Sequence, residues 1–424
     1  MTHVRVVATV YEETLERTLD AIRSITLPHD LVEVRAERLP SLDLRAIRAA
    51  TTKPLILTYR GQHIARALVA RALEAGIDFV DVEWREGVDI AVPERTVLSH
   101  HDYEGMRDVE RIMKAMRARG CAFTKLAATP HTFADNERLL ALLPGTVIGM
   151  GEQGLYSRIL APFKGSELTF VAATHAAAPG QLTLERAFAI FGEAELSAER
   201  VFAVVGNPAG HSLSPAIHNR LFREKRVRAA YTIASVTRFG QVADAFLRGE
   251  PCGLSVTAPF KEEAFEFAVA HGAEVASKAR RARAVNTLVR VGERVLADNT
   301  DVDGFAALIP RTAREAAVVG AGGTARAALV ALEDAGIPAT VYNRTVSKGD
   351  QPLEALRTFR GDLVINTLPA GVDAPIPPCR TYIEAAYGSS GRYVAAEQKI
   401  SGLALLEAQA VRQHELFMRV FDEF

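Results

Sequence analysis

One lysine stands in an otherwise apolar run, AFTKLAA, at Lys125. Desolvated among cations, such a lysine gives up its proton more readily than a free one, whose pKa is about 10.4. The free amine can attack a ketone and form a Schiff base. An edge-strand lysine reaching solvent reads the same way. His101, in SHHDY, offers a general acid/base because free imidazole titrates near neutrality. A histidine satisfied by local backbone is the plainer alternative. His100 should face the other side of its strand. Further polar residues punctuate apolar runs: Glu33 and Arg35 in VEVRAE, Arg60 in LTYR, Arg158 in GLYSR and Gln181 in APGQ. The arginines imply an anionic, hydroxyl-rich substrate.

A second set lies further on. GNPAGHSLSPAIHN carries Ser212 and Ser214, whose hydroxyls, with free N–H groups of a helix start, suit a carboxylate. Helix capping by Ser214, with Pro215 at the first helical position, is compatible with that role. Lys261 closes SVTAPFK and Asp301 opens a helix in DNTDVDGF. As a pair they could protonate an alkoxide formed by hydride transfer; each alone could be a surface charge. Between them and the C-terminus runs VVGAGGTARAA. Gly320, Ala321, Gly322, Gly323, Thr324 and Ala325 form a turn from strand to helix that suits a pyrophosphate. The pattern is G-x-G-G-x-A, which a plain tight turn would also satisfy. About 20 residues on, the next strand ends in Asn343, Arg344 and Thr345, where a ribose-binding acid is usual. An arginine there suits a 2′-phosphate, hence NADP, although a solvated arginine is the bland reading.

Elements must hold these residues in place. In the first half, eight apolar runs from Val4–Val10 to Leu168–Ala172 mostly alternate with helical stretches. That is the pattern of a (β/α)8 barrel, whose strand C-termini face the active site. The connection Glu83–Arg95 is too short and too broken by Pro and Gly for a helix, so the barrel should be trimmed. Residues 192–200 are polar and unpatterned, a linker. In the second half, the turn at Val318–Ala328 marks a doubly wound α/β domain.

Composition narrows the function classes. Of 424 residues, 48% are hydrophobic and 24% charged, and the net charge is −1. No basic excess points to nucleic acid or anionic lipid, and no apolar run is long enough to span a membrane. The three cysteines are far apart and make no metal-ligand spacing, so no metal is expected. The N-terminus lacks a signal-peptide core. The expectation is a cytoplasmic small-molecule enzyme, monomer or homodimer.

The first half resembles type I 3-dehydroquinate dehydratase through VEVRAE, LTYR, SHHDY, TKLAATP, MGEQGLYSR and APGQ, in order. The resemblance implies that Lys125 forms an imine with 3-dehydroquinate, His101 moves the proton and Glu33 orients His101. It also implies that Arg35, Arg60, Arg158 and Gln181 bind substrate. Ala177 stands where that family usually has serine, and Ile64 where it has glutamate. The second half resembles shikimate dehydrogenase through GNPAGHSLSPAIHN, SVTAPFK, AVNTL, DNTD, GAGGTARA, NRT and GLALLEAQA. By that resemblance Ser212 and Ser214 hold the substrate carboxylate, Thr257, Asn286 and Gln409 bind ring hydroxyls, and Tyr387 lies near carboxylate and nicotinamide. Lys261 and Asp301 are the catalytic dyad, and Ser255 replaces the usual asparagine. The implied organisation is a barrel over 1–191, a linker, a shikimate-binding lobe over 201–302, a Rossmann-type NADP lobe over 303–385, and a segment over 386–424 returning to the first lobe. The two halves would run consecutive steps, 3-dehydroquinate to 3-dehydroshikimate to shikimate. The alternative is an active dehydrogenase carrying a non-catalytic barrel. A glutamyl-tRNA reductase reading needs an early nucleophilic cysteine, and the first 120 residues contain none.

Overall fold

The barrel strands repeat one pattern. Every second residue points inward, and in the first six strands the inward residues bring polar groups in beyond an apolar layer. A computed structural model describes residues 4–60, 66–193, 195–387 and 394–422. Ile64 lies outside them. The first eight strands are β1 (Arg5–Val10), β2 (Leu31–Arg35), β3 (Leu55–Thr58), β4 (Phe79–Glu83), β5 (Thr96–Asp102), β6 (Phe123–Ala128), β7 (Thr146–Gly149) and β8 (Leu168–Ala172). They form one parallel sheet in the order β7-β6-β5-β4-β3-β2-β1-β8. A bridge between Gly145 and Ser166 brings its two ends together.

Val7, Leu31, Ile56, Val97, Phe123 and Leu168 pack one layer inside. Val10, Val32, Val34, Leu55, Leu57, Val80, Val82 and Leu98 pack outward with the helices. This two-sided burial is why the strands read as nearly continuous apolar runs. Each buried Val, Leu or Ile is worth roughly 1.5–3 kcal/mol. Thr9, Glu33, Thr58, Asp81, Ser99 and Lys125 are buried polar residues of the same strands. Helices follow most strands: Leu15–Ser24, Leu44–Ala49, Arg66–Glu74, Val109–Arg117, Phe133–Leu140, Leu155–Leu160 and Leu184–Phe191. After β4 there is only a single 3-10 turn, Pro93–Arg95, so the barrel is trimmed where the sequence indicated.

Contacts divide the chain into two compact units. The first contains residues 1–204 and 208–237, so the barrel takes the start of the second half with it. β9 (Arg200–Gly206), the helix Ser214–Glu224 and β10 (Ala229–Ser235) continue from the barrel. Thr232 Oγ1 donates to Tyr156 O at 3.0 Å and Arg223 Nη1 to Ile190 O at 2.8 Å. The elements on either side of the linker expected over 192–200 therefore pack together.

The second unit contains residues 205–207 and 238–424. It holds β11 (Gly253–Val256), β12 (Glu274–Val275), β13 (Thr287–Val291) and β14 (Arg294–Asp298), adjacent in the order β11-β13-β14-β12. A parallel sheet follows: β15 (Ala316–Val319), β16 (Ala339–Asn343), β17 (Gln351–Pro352), β18 (Leu363–Asn366), β19 (Cys379–Glu384) and β20 (Ala396–Ile400). Its order, β17-β16-β15-β18-β19-β20, reverses direction between β15 and β18, the switch point where such sheets take ligands. In β15, Ala316 and Val318 pack into one apolar layer and Ala317 and Val319 into the opposite one. After Asn343 the connections shrink to 3-10 turns at Val346–Lys348 and Leu353–Thr358.

Candidate active sites

In the barrel, Glu33, Arg35, Arg60, His101, Lys125, Arg158, Ala177 and Gln181 line one small cavity of about 40 Å³. Strand alternation brings Glu33, Arg35, His101 and Lys125 there, and the segments that follow β3, β7 and β8 add Arg60, Arg158, Ala177 and Gln181. β5 runs on to Asp102, so His101 lies within the strand, and only one histidine of the pair, His101, faces the cavity. Lys125 is 4% exposed. Its Nζ donates to Asp81 Oδ2 at 2.8 Å, stands 3.9 Å from Glu33 Oε1 and lies over the Phe170 ring. Its nearest charged partners are carboxylates, not the cations expected from the sequence.

The histidine's partner also differs from expectation. Glu33 accepts from Thr9 and Thr58 hydroxyls, both at 2.7 Å, and does not orient His101. His101 Nδ1 instead lies 2.9 Å from Glu83 Oε2, and the His101 backbone N–H donates to Glu83 Oε1 at 3.0 Å. β2 and β5 are not neighbours in the barrel, and β4 lies directly beside β5. Sequence reading missed Glu83 and Asp81. The signal was present in DVE at the end of β4, two acids at inward spacing.

The charges follow from these contacts. Burial pushes the Glu83 carboxyl upward, but the hydrogen bond and charge of His101 and the charge of Arg60 hold it below its usual range. Burial likewise opposes the Asp81 charge, yet Arg60 and Lys125 hold that carboxyl far below the usual range. Burial first, then Arg60, pushes His101 down to about 4, against the pull of Glu83. At neutral pH the ring is therefore neutral. Ionised Glu83 can only accept, so Nδ1 carries the proton and Nε2 is left as the basic nitrogen.

Cations complete the cavity. Arg60 pairs with Asp81 at 2.8 Å and with Glu83. Arg35 pairs with Glu37 at 2.5 Å, and its buried Nε has no hydrogen-bond partner among the described residues. Arg158 donates to Gly149 O at 2.8 Å; burial pushes it down to about 10, and no carboxylate lies in ion-pair range among the described residues. A buried guanidinium left so is a ready site for an anion. The Ala177 backbone N–H donates to Gln181 Oε1 at 2.7 Å, which needs no serine side chain.

In the second unit, Lys261 Nζ donates to Asp301 Oδ2 at 2.5 Å and to Thr324 Oγ1 at 2.9 Å. Asn286 donates to Asp301 Oδ1 at 2.9 Å and to Thr300 Oγ1 at 3.0 Å. Thr300 Oγ1 in turn donates to Gln409 Oε1 at 2.9 Å, reaching the C-terminal helix Gly402–Met418. Ser255, in place of asparagine, keeps a brace by donating to Gln413 Oε1 at 2.6 Å. Thr257 donates its N–H to Val205 O at 2.9 Å. Tyr387 is half-buried, three residues past β19.

The glycine turn lies against the dyad. A Cβ on Gly323 would come within 3.0 Å of Lys261 Cβ, and one on Gly320, at φ +102°, within 2.6 Å of Thr367 Oγ1. Gly320–Ala325, Lys261, Asn343 and Thr367 line a cavity of about 340 Å³. The helix Gly323–Asp334 starts there with no side-chain cap, leaving its first N–H groups for an anion. Arg344 and Thr345 are exposed just past β16.

In the first unit, Ser214 begins the helix Ser214–Glu224 and does not cap it; the Ser212 hydroxyl accepts the Ser214 N–H at 3.2 Å. Both serines are buried.

The family model for type I 3-dehydroquinase matches residues 6–193, and that for the shikimate dehydrogenase substrate binding domain matches residues 204–288. The shikimate biosynthesis protein AroDE of Chlamydia pneumoniae is 30% identical over 396 residues, 82% of this chain and 81% of that one. The chain belongs to the bifunctional 3-dehydroquinate dehydratase/shikimate dehydrogenase family. The chloroplastic bifunctional 3-dehydroquinate dehydratase/shikimate dehydrogenase of Arabidopsis thaliana is 27% identical over 391 residues, 80% of this chain. The chain spans 64% of that relative's length. A solved structure of the dehydroquinate dehydratase and shikimate dehydrogenase from S. pombe AroM is 23% identical, covers 98% of this chain and 96% of that one, and has a TM-score of 0.40. No helix among the described residues is long and apolar enough to cross a membrane. In the barrel the inward polar residues converge on Lys125; in the second unit Lys261 and Asp301 meet the glycine turn.

Proposed function

We propose that the chain dehydrates 3-dehydroquinate to 3-dehydroshikimate in the barrel and reduces that product to shikimate with NADPH in the second half. The observation that carries this reading is the convergence of Lys125, neutral His101 and three arginines on one cavity. Lys125 condenses with the substrate ketone, releasing water and forming an imine. The protonated imine withdraws electrons from the adjacent carbon. His101 Nε2 takes a proton from that carbon and returns it to the departing hydroxyl, which leaves as water. Hydrolysis of the imine frees product and Lys125. Glu83 holds the histidine in its working tautomer, Asp81 holds Nζ, and Arg35, Arg60, Arg158 and Gln181 bind substrate oxygens.

In the dehydrogenase half, Ser212 and Ser214 bind the carboxylate. Thr257, Asn286 and Gln409 bind ring hydroxyls, Lys261 donates a proton to the forming alkoxide, and Asp301 holds that ammonium. Tyr387 lies near the carboxylate. The glycine turn, the uncapped helix start and the cavity beside them fit a dinucleotide. Gly320, Ala321, Gly322, Gly323, Thr324 and Ala325 would hold its pyrophosphate, and Asn343, Arg344 and Thr345 its ribose phosphate. NADPH, when bound, supplies the hydride. The chain works in the cytoplasm as a monomer or homodimer. Supplying 3-dehydroquinate and NADPH and following both products tests the whole reading; accumulation of neither product rejects it, and reduction of supplied 3-dehydroshikimate without dehydration favours a non-catalytic barrel.

Two smaller effects follow. With His101 near 4, dehydration should keep its rate as pH falls below 6.5, and its acid limb should appear near pH 4, where the base becomes protonated. A limb between 6 and 7 in the pH profile of kcat/KM would remove His101 as the base. Arg344→Ala should weaken NADPH more than NADH by about 1.5 kcal/mol, the lower end for a hydrogen bond to a charged group because Arg344 is exposed. Equal losses for the two cofactors would contradict the 2′-phosphate contact.

A further inference from the structure

We propose that Glu152 and Arg186, both on the barrel, are positioning residues for the carboxylate-binding loop of the dehydrogenase half. The proposal rests on the role given above to Ser212 and Ser214. The loop Ala209–Ser212 leads into the serine helix, and groups of the dehydratase half grip its backbone by both polarities. Glu152 Oε1 accepts from Ala209 N–H at 3.0 Å, Gly210 N–H at 2.9 Å and Ser235 Oγ at 2.9 Å. Arg186 Nη2 donates to Gly210 O at 2.5 Å and to Ser212 O at 3.3 Å. An anion thus holds the loop's donors and a cation its acceptors. Charge-assisted hydrogen bonds are about twice as strong as neutral ones.

Both gripping residues stand on stiff supports. Glu152 lies in the turn between β7 and the helix Leu155–Leu160. That turn is so close that a Cβ on Gly154 would come within 2.4 Å of Gly149 C. Gly151 N–H donates to Pro179 O at 3.1 Å, tying the same turn to the APGQ segment. Arg186 lies in the first turn of a helix capped by Thr183. Gly210 fits tightly between them: a Cβ there would meet Glu152 Oε1 at 3.1 Å and Leu155 Cδ1 at 3.2 Å. A binding loop works when its supports hold it to within about 0.5 Å. The Ser212 hydroxyl and the N–H of Ser214 would inherit their position from two residues that touch no substrate. Loosening the loop should weaken ground-state binding of the carboxylate and spare hydride transfer, so the effect belongs in KM.

The test uses the full chain. Glu152→Ala and Arg186→Ala should each raise KM for 3-dehydroshikimate about tenfold, as expected when hydrogen bonds to a charged group are lost. The kcat for reduction, KM for NADPH and the dehydration rate should be essentially unchanged. Glu152→Gln, whose amide oxygen can still accept, should recover part of the loss. Amide hydrogen exchange at Ala209 and Gly210 should accelerate in Glu152→Ala. Unaltered KM in both alanine variants overturns the proposal, and so does equal loss of both activities, the mark of a merely structural role. Unchanged exchange at the two amides overturns the grip itself. Failure of the unaltered protein to reduce 3-dehydroshikimate with NADPH overturns the underlying reading and the proposal with it, before any variant is compared.

Discussion

Lys125→Ala should lose dehydration by more than about 10⁴-fold, as when a covalent nucleophile is removed from a working constellation, while reduction of supplied 3-dehydroshikimate stays essentially unchanged. Nothing else in the cavity can replace the amine. Its neighbours are carboxylates, guanidiniums and a neutral imidazole, and none forms an imine with a ketone. Borohydride added with substrate should fix a covalent adduct on Lys125 in the unaltered protein. Intact-mass and peptide analysis locates it. Absence of an adduct, or an adduct on a different lysine, would sink the Schiff-base reading and return the barrel to a non-catalytic role. His101→Ala should still form the adduct but lose proton transfer by about 10²–10⁴-fold. Full activity of that variant would take the histidine out of the mechanism.

Lys261→Ala should lose reduction by about 10²–10⁴-fold, mainly in kcat, because the ammonium's help grows as the alkoxide develops. Binding of NADPH should survive, since the glycine turn contributes its own backbone groups. The pair is also braced from several sides: Asn286 holds the second oxygen of Asp301, and Thr324 shares the Lys261 ammonium. Asp301→Asn should therefore fall in the same range, for the ammonium loses its ionic partner while keeping Thr324. Rates of 3-dehydroshikimate reduction at saturating NADPH measure both. Near-normal reduction by Lys261→Ala would exclude the lysine as the acid. Equal loss of dehydration in the same variant would speak for misfolding and against two separate sites.

Local pattern carried much of this. Period-two alternation aims Glu33, Asp81, Glu83, Ser99, His101 and Lys125 inward, because successive side chains of a strand face opposite sides. The apolar residues between them pack outward against helices, which is why a single lysine inside AFTKLAA was informative. The missing helix after β4 followed from Pro and Gly in a short connection. The tight turn from strand to helix followed from glycines between an apolar strand and a small-residue helix, with Gly320 in a backbone conformation that side chains rarely adopt.

Tertiary structure alone decided which inward groups meet. The period says that Glu33 and Glu83 both face the cavity, but strand order gives His101 to Glu83, since β4 is the neighbour of β5 and β2 is not. It also surrounded Lys125 with carboxylates where the sequence suggested cations, because ion pairs form between strands whose stagger no single segment encodes. Lys261 and Asp301 are forty positions apart, and Glu152 and Gly210 fifty-eight. Contacts at such separations depend on how loops close and sheets pack, so periodicity, which describes only a residue's own element, cannot assign them. The polar stretch before β9 separates the two family matches, yet the elements that flank it pack together. A linker's composition reports its solvation, whereas the place where packing breaks is set by the apolar and charged surfaces that its flanking elements present to each other.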